Sequence, residues 1–263
     1  MKKYTIYPLA LCEPMPEAAA AFYYKDYKGA PVMFIYGCFC LEDNETGDLV
    51  MVDTGLASQE DITKYNYPFR RIDGAPNLKS VMDAKGLEPQ KVKHIFFTHL
   101  HQDHCFNLEL FPNAVMYVQK IELQHAVTPN PIEAKSYQKF KLPGLPAWAK
   151  AWGQIQTIEG DKKGLVDGIE VMFTPGHTPG SMSVIADTET GKYIMCGDLF
   201  YTVEQYEEGR MNGNFTSLDE WYHSRDKVLN YVKENNAQIL MVHNPDTYMV
   251  DVYGSRKGVQ YEL

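Results

Sequence analysis

Short apolar runs separated by turn residues recur along most of the chain. From them we predict strands over residues 5–11, 32–41, 49–52, 94–97, 114–118, 154–158, 168–173, 182–187, 193–196 and 239–242. Residues 43–47 and 189–191 contain glycine and polar side chains in the pattern typical of hairpin turns. Residues 248–253 are a further candidate for a short strand.

Helical periodicity marks fewer segments. Residues 78–85 form an amphipathic stretch that ends at a glycine, and residues 119–127 form another that ends before a Thr-Pro pair. A longer helix is predicted from Ser217 to about Asn235, because Ser217 and Glu220 form a capping-box pattern before an apolar stripe. Residues 13–28 favour either a short helix or a surface loop.

Three stretches have no clean period. Residues 65–71 form an aromatic loop interrupted by a proline. Its aromatic side chains would either line a substrate pocket or hold the loop against the protein surface. Residues 128–153 form the longest irregular stretch, and a partly disordered connector is the alternative to an ordered insert. Residues 198–218 are mostly polar and are predicted to form a loop.

One stretch concentrates the residues that carry chemistry. His99, His101, Asp103 and His104 follow the apolar run 94–97 and precede a short apolar stretch that predicts a helix near 108–111. In extended backbone His99 and His101 point the same way, so both can bind one ion, while Asp103 and His104 can face a second. Imidazole with carboxylate suits zinc, iron or manganese. The competing interpretation is a pair of core histidines beside a solvated Asp-His.

Further candidate ligands follow three later strands. His177 lies in a Thr-Pro-Gly-His-Thr-Pro-Gly turn, Asp198 follows the run 193–196, and His243 follows the run 239–242. Because each comes at the carboxyl end of a predicted strand, all are expected to meet at one sheet edge. The remaining helical histidines, His125 and His223, are interpreted as packing or surface residues.

Composition narrows the function classes. The chain has 263 residues, a net charge of −9 and five scattered cysteines. An acidic surface disfavours a nucleic-acid partner, and free thiols in apolar strands fit a reduced compartment. No apolar run approaches a membrane span, and the first residues are too short and too interrupted for a signal peptide. The chain is therefore predicted to be cytoplasmic, with no membrane or nucleic-acid partner.

The motifs H-x-H-x-D-H, T-P-G-H-T-P-G and G-D, with a late histidine after a strand, resemble those of the metallo-β-lactamase superfamily. The likeness runs from about Val32 to His243, and within the superfamily the chain resembles the N-acyl homoserine lactonases. It implies one domain over residues 1–263, folded as a four-layer αββα sandwich of α/β class, with an irregular insert near 128–153. Such an insert covers the active site or forms a dimer contact, so a homodimer is also predicted.

The resemblance also implies a dinuclear site with two divalent ions, zinc first, with iron, manganese or cobalt as alternatives. The implied ligands are His99, His101 and His177 for one ion, Asp103, His104 and His243 for the other, and Asp198 as the bridge. A hydroxide between the ions would attack the substrate.

Two further side chains receive catalytic roles from the resemblance. Tyr201 would donate a hydrogen bond to the substrate carbonyl, and Asp103 would also pass a proton to the leaving alkoxide. The alternative for Tyr201 is that it simply begins a loop. Asp53, in a D-T-G turn, would lie near the ions and orient the surrounding backbone without binding them.

The sequence thus predicts a metal-dependent hydrolase that opens an N-acyl homoserine lactone or a related cyclic ester. The alternatives are a thioesterase resembling glyoxalase II, a phosphodiesterase, and a metal-binding redox protein. Lactonases usually have small residues where this chain has Cys105-Phe106, so Phe106 either narrows the pocket or packs beneath a helix. Ring and acyl-chain preference are left open.

Overall fold

A computed structural model of the chain describes residues 2–64, 76–138 and 145–256. The strands in these ranges are β1 (Tyr4–Ala10), β2 (Met15–Glu17), β3 (Val32–Phe34), β4 (Gly37–Asp43), β5 (Leu49–Val52), β6 (Val92–Phe96), β7 (Val115–Gln119), β8 (Ile155–Ile158), β9 (Lys162–Val166), β10 (Ile169–Phe173), β11 (Met182–Thr188), β12 (Gly191–Met195) and β13 (Gln238–Leu240). The helices are α1 (Ala19–Phe22), α2 (Gln59–Lys64), α3 (Leu78–Ala84), α4 (Lys120–Val127), α5 (Ala147–Lys150), α6 (Val203–Glu207) and α7 (Leu218–Asn235).

Two sheets form the centre of the molecule. The first has the strand order β1-β4-β5-β6-β7-β8, and the second has the order β13-β12-β11-β10-β9. Neighbours are parallel from β5 to β8 and between β12 and β13, and antiparallel elsewhere. A separate two-stranded ribbon pairs β2 with β3.

Successive side chains along a strand point to opposite faces of the sheet and therefore pack into different apolar layers. On β4, Phe39 and Leu41 pack between the two sheets, whereas Cys38 and Cys40 face the layer that contains side chains of α3, α4 and α5. On the other side, side chains of β11 and β12 pack against Trp221 of α7. Helices therefore cover both outer faces, which confirms the predicted four-layer αββα sandwich.

The predicted strand 32–41 is divided into β3 and β4, because β3 pairs with β2 in the ribbon and β4 pairs with β1 and β5 in the first sheet. Between β3 and β4, the Ile35 N–H donates to the carbonyl of His243 at 3.2 Å, and the Ile35 carbonyl accepts from Nδ1 of His243 at 2.9 Å. The break in the strand therefore supplies the backbone contact that orients a candidate ligand.

Other differences from the prediction are local. β9 was not predicted, because an edge strand containing lysines and a glycine has no apolar alternation. α6 lies within a segment that was predicted to be a loop. Residues 248–253 do not form the expected strand in the described chain, since only Tyr253 bridges to Ile6.

The irregular segments are only partly described. The aromatic loop 65–71 lies outside the described residues. The insert near 128–153 contains turns over residues 131–138 and the short helix α5, and residues 139–144 lie outside the description. The single domain and the homodimer stay predictions. Among the described helices, none is both long enough and apolar enough to cross a membrane.

The hairpin between β4 and β5 generates a prediction about stability. Asp43 is buried, its side chain pairs with the Lys2 ammonium, and it accepts the N–H of Glu45 at 2.9 Å. Burial raises the pKa of Asp43, but the Lys2 contact and the backbone hydrogen bonds outweigh it and lower the pKa to about 2. This carboxylate therefore stabilises the fold fully above its unfolded pKa, about 4, and the stabilisation is lost as pH falls toward 2.

Asp43→Asn keeps the turn acceptor and removes the charge. We expect it to lower the free energy of unfolding by about 2 kcal/mol at pH 7, with the deficit shrinking between pH 4 and pH 2. Urea unfolding at several pH values measures this. Asp48→Asn, on the same hairpin but half-exposed, should change stability little, and an equal loss in both variants would contradict the role of the buried Asp43 carboxylate.

Candidate metal centre

The candidate ligands lie on loops that leave four strands at one edge of the sandwich. The loop after β6 carries His99 to His104, and the loops after β10, β12 and β13 carry His177, Asp198 and His243. These strands belong to both sheets, so the site lies across their junction. All seven side chains predicted as ligands come together there.

The seven side chains form two groups, in each of which one ligand atom per residue lies within 4.8 Å of the others. His99, His101, His177 and Asp198 make up the first group. Asp103, His104 and His243 make up the second. The same division of the other six side chains is predicted from the sequence, with Asp198 as a bridge between the two ions.

The Asp198 carboxylate lies between the groups. Its Oδ2 is 3.2 Å from Nε2 of His177 and 3.8 Å from Nε2 of His99. Its Oδ1 is 3.1 Å from Nε2 of both His104 and His243. Each oxygen therefore faces a different set of imidazoles, which is the geometry of a bridging carboxylate.

Hydrogen bonds on the outer ring nitrogens orient four of the imidazoles. Nδ1 of His99 contacts the Thr98 hydroxyl at 3.1 Å, and Nδ1 of His177 contacts the Asn214 carbonyl at 3.0 Å. His104 and His243 likewise use Nδ1, toward Asp53 and Ile35. An imidazole that donates through Nδ1 presents an unprotonated Nε2, which is the form that binds a metal.

His101 is turned the other way. Its Nδ1 lies 3.1 Å from Nε2 of His177, so this atom faces the first group. Two nitrogens bound to one tetrahedral zinc ion lie about 3.3 Å apart. The two rings thus have the spacing of ligands that share an ion.

The donor set fits divalent ions. Nε2 of His99 and His104 and Oδ1 of Asp198 are buried and make no hydrogen bond. Buried polar atoms without partners are costly, and here several converge on one small volume. The chemistry of the set, imidazole with carboxylate, is that of zinc and related metals.

Electrostatics within the cluster agree with this fit. Burial lowers the pKa of His99 and of His101 well below the usual value, so both rings are neutral. Burial also disfavours a charge on His104, but the carboxylates of Asp198, Asp103 and Asp53 outweigh it and raise its pKa. The cluster therefore attracts positive charge, which divalent ions would supply.

Asp53 orients the neighbourhood, as expected from its D-T-G turn. Its Oδ1 accepts the Thr98 N–H at 2.7 Å, and its Oδ2 accepts both the Thr98 hydroxyl and Nδ1 of His104 at 2.8 Å. Asp53 has a positive φ of 60°, an unusual conformation for a residue other than glycine. It belongs to neither group of candidate ligands.

Two glycines explain the turn that carries His177. A Cβ on Gly176, which has φ +136°, would meet Trp221 Cα at 2.5 Å, and a Cβ on Gly180 would meet Glu122 Cβ at 2.3 Å. The turn is therefore held between α7 and α4 without room for side chains at these positions.

A cavity of about 390 Å³ opens onto the centre. Its apolar wall includes Phe22, Phe34 and Phe215, and Ile132 and Glu133 of the insert also line it. The Tyr201 hydroxyl donates to Asp198 Oδ2 at 3.0 Å, so this phenol lies beside the centre. Burial, followed by the Asp198 charge, raises the pKa of Tyr201 well above its usual value.

Three further residues considered in the sequence belong to neither group of candidate ligands. Phe106 packs with Ala57 and Ala147 and is not among the described lining residues, which favours packing over narrowing of the pocket. His125 contacts Glu133 at 3.1 Å, and His223 is exposed on α7.

Gln205 and Glu122 are completely buried near the site, and neither is predicted from the sequence to have a role there. Gln205 binds the backbone N–H of Tyr201 and Thr202 and donates to the Phe22 carbonyl, thereby tying the tyrosine to the cavity wall. Its signal was present as the capping-box pattern of Thr202 and Gln205. Glu122 had no such signal, because a glutamate on a helix normally indicates a solvated face.

Comparisons with known proteins agree with this arrangement. The family model "Metallo-beta-lactamase superfamily" matches residues 38–237. The N-acyl homoserine lactonase AttM of Rhizobium radiobacter is 31% identical over 170 residues, and AiiA of Bacillus thuringiensis subsp. kurstaki is 29% identical over 181 residues. The alignments cover 63% of this chain and of AttM, and 65% of this chain and 66% of AiiA.

Solved structures resemble the chain over nearly its whole length. A quorum-quenching N-acyl homoserine lactone lactonase has a TM-score of 0.74 at 22% identity and covers 94% of each chain. AidC, a dizinc quorum-quenching lactonase in complex with a product, has a TM-score of 0.71 at 17% identity, covering 96% of this chain and 92% of its own. These likenesses confirm the fold.

The bridging geometry of Asp198 leads to a prediction about metal content. Asp198→Asn keeps the size of the side chain but removes the charge that both groups share. We expect purified wild-type protein to retain two ions per chain and Asp198→Asn to retain at most one, measured by plasma mass spectrometry after dialysis. His223→Ala, which changes an exposed histidine outside both groups, should retain two ions. Full metal content in Asp198→Asn would contradict the bridge.

Proposed function

The chain belongs to the metallo-β-lactamase superfamily, and on this premise we propose that it is a dinuclear metal-dependent hydrolase that opens a lactone. The leading substrate class is the N-acyl homoserine lactones, on which the relatives AttM and AiiA are named as acting. The observation that carries the proposal is the Asp198 carboxylate between two imidazole groups, with the Tyr201 hydroxyl beside it at the cavity.

The seven proposed ligands would hold the two ions, zinc by preference of the donor set: His99, His101, Asp103, His104, His177, Asp198 and His243. When bound, the ions would supply Lewis acidity toward the ester carbonyl and would lower the pKa of water into the neutral range. The protein residues then have to bind, orient and protonate the substrate.

Tyr201 is proposed to bind the ester carbonyl. Its hydroxyl projects from a buried ring that packs edge-on against Phe22 at 5.3 Å and His243 at 5.4 Å. Because both rings and the Gln205 contacts restrain it, the phenol is preorganised to donate to the oxygen that gains negative charge as the ester is attacked.

Asp103 is proposed to protonate the leaving group. Its side chain keeps 21% of its exposure and lines the cavity, whereas Asp198 is 6% exposed. Hydrolysis adds one water across the ring ester: the oxygen of the water joins the carbonyl carbon, and the ring C–O bond breaks. A proton must reach the departing alkoxide, and Asp103 is the more exposed of the two carboxyl groups at the centre and is therefore proposed to deliver it.

The cavity favours an uncharged, partly apolar substrate. Phenylalanine side chains form one wall, and among the lining residues that the structure describes none is lysine or arginine, whereas Glu17 and Glu133 add negative charge. A phosphodiester or a thioester of glutathione carries anionic groups that this rim would repel. An acyl-lactone is neutral and presents an apolar chain, so it fits better than either alternative.

The cell compartment is proposed to be the cytoplasm. All five cysteines are buried, and none of them forms a disulfide within the described residues, a state that a reducing environment preserves.

A substrate panel tests the proposal. We expect the metal-loaded protein to open acyl homoserine lactones and to lose this activity when a chelator removes the metal. Against a glutathione thioester and a phosphodiester we expect little turnover, because of the acidic rim. Turnover confined to the thioester or the phosphodiester would contradict the lactonase assignment while leaving the metal centre intact.

The Tyr201 role has its own test. Tyr201→Phe should lower kcat for a lactone by about 100-fold, because one oxyanion donor is lost, while two ions per chain are retained. Tyr206→Phe removes a half-buried phenol that contacts Glu207 and should leave kcat unchanged. If Tyr201→Phe has the kcat of wild type, the proposed hydrogen bond from Tyr201 to the ester carbonyl is contradicted.

A further inference from the structure

Glu122 is a buried carboxylate that accepts four hydrogen bonds from three separate segments. It lies in the first turn of α4, and its side chain has no exposure. Its Oε1 accepts the Leu100 N–H and the Tyr137 hydroxyl, each at 2.9 Å. Its Oε2 accepts the Thr178 hydroxyl at 2.7 Å and the Gly180 N–H at 3.1 Å.

The donors flank the imidazoles of the first group. Leu100 lies between His99 and His101, and Thr178 directly follows His177. One carboxylate therefore holds both chain segments that carry the three histidines, with one oxygen on each segment. Glu122 itself is in neither group of candidate ligands.

The contact leaves little freedom between these segments. A Cβ on Gly180 would lie 2.4 Å from the Glu122 backbone nitrogen, so the turn after His177 lies directly on α4. Across the same interval, Nε2 of His177 and Nδ1 of His101 lie 3.1 Å apart. A shift of either segment would change this spacing.

The third connection reaches the insert. The Tyr137 ring packs edge-on against His101 with centroids 4.6 Å apart, and its hydroxyl is bound by Glu122. The neighbouring Ser136 carbonyl accepts the Gln102 N–H at 2.8 Å. The insert is thus anchored next to the loop that carries the first two histidines.

From these contacts we infer that Glu122 is a positioning residue for the metal centre: it sets the spacing of His99, His101 and His177 without touching ion or substrate. The inference rests on the metal centre proposed above. Glu122 is thereby assigned to one of the two ions, because two of its donors directly adjoin histidines of the first group and none of the four adjoins Asp103, His104 or His243. A purely structural role, for example favourable charge at the start of α4, would affect stability without this selectivity.

Glu122→Gln tests the inference with the smallest change of shape. The amide of glutamine cannot accept at its nitrogen, so in either orientation it would face the backbone N–H of Leu100 or of Gly180. We expect wild-type protein to hold two ions, and the variant to hold one with unchanged affinity and the other about tenfold more weakly. Competition with a chelator, followed by metal analysis per chain, measures both affinities without reference to activity.

Two matched variants separate positioning from general stability. Tyr137→Phe removes a single hydroxyl donor and keeps both N–H bonds to Glu122, so its metal affinities should stay within about threefold of wild type. Gln154→Met removes two hydrogen bonds to the carbonyls of Phe111 and Ala114, away from both groups. It should lower the melting temperature and leave both metal affinities unchanged.

The outcomes decide between the proposals. A folded Glu122→Gln that binds both ions with wild-type affinity overturns this inference and leaves the proposed lactonase in place. Equal weakening of both ions also overturns it, because the effect is then not selective. Wild-type protein that binds no ion overturns both. If Glu122→Gln does not fold, Glu122→Asp keeps the charge but shortens the side chain by one methylene group, so that the carboxylate is drawn away from its donors. Selective weakening of one ion in this variant supports the inference, and unchanged affinity for both ions overturns it.

Discussion

A buried carboxylate with imidazole nitrogens close to both of its oxygens is the constraint on which this site depends. Asp198 is 6% exposed, and the surrounding histidines hold its pKa well below the usual value although burial alone would raise it. In the low dielectric of the interior such a charge must be matched by positive charge close by. Two divalent ions, one held by each group of side chains, would provide that match, and hydrogen bonds from the surrounding loops keep the imidazoles directed toward the Asp198 carboxylate.

That arrangement draws on distant parts of the chain. Nδ1 of His243 is held by Ile35 between β3 and β4, Nδ1 of His177 by the Asn214 carbonyl, and Nδ1 of His104 by Asp53. Because ligands come from both sheets, metal binding would also connect the two halves of the sandwich, and its free energy would add to folding stability. Bringing these ligands together has a local cost: Asp53 adopts a strained positive φ. The turn that carries His177 also packs so closely on α7 and α4 that only glycine fits at positions 176 and 180.

The cavity adds selectivity to a centre whose chemistry is general. Carbonyl polarisation and activated water suit many esters, so the choice of substrate has to come from the walls: phenylalanines, the Tyr201 phenol and an acidic rim. Glu122 connects the metal centre with the cavity. Its carboxylate contacts the segments that carry the histidines, and it also accepts the hydroxyl of Tyr137, in the insert that borders the cavity. The insert that borders the cavity and the two segments that carry His99, His101 and His177 thus share one buried acceptor.

The sequence by itself determined the strand and helix pattern around the site, which follows from local rules: the two-residue period of strands and the capping of α7. The placement of histidines and aspartates just after buried strands marked the candidate ligands, and the resemblance to a family supplied their predicted division between two ions. The tertiary structure alone decided the break at Ile35, the edge strand β9, and the roles of Gln205 and Glu122. A buried hydrogen bond depends on which segments packing brings together, and no local pattern specifies that a helical glutamate will meet Leu100 and Gly180 instead of water.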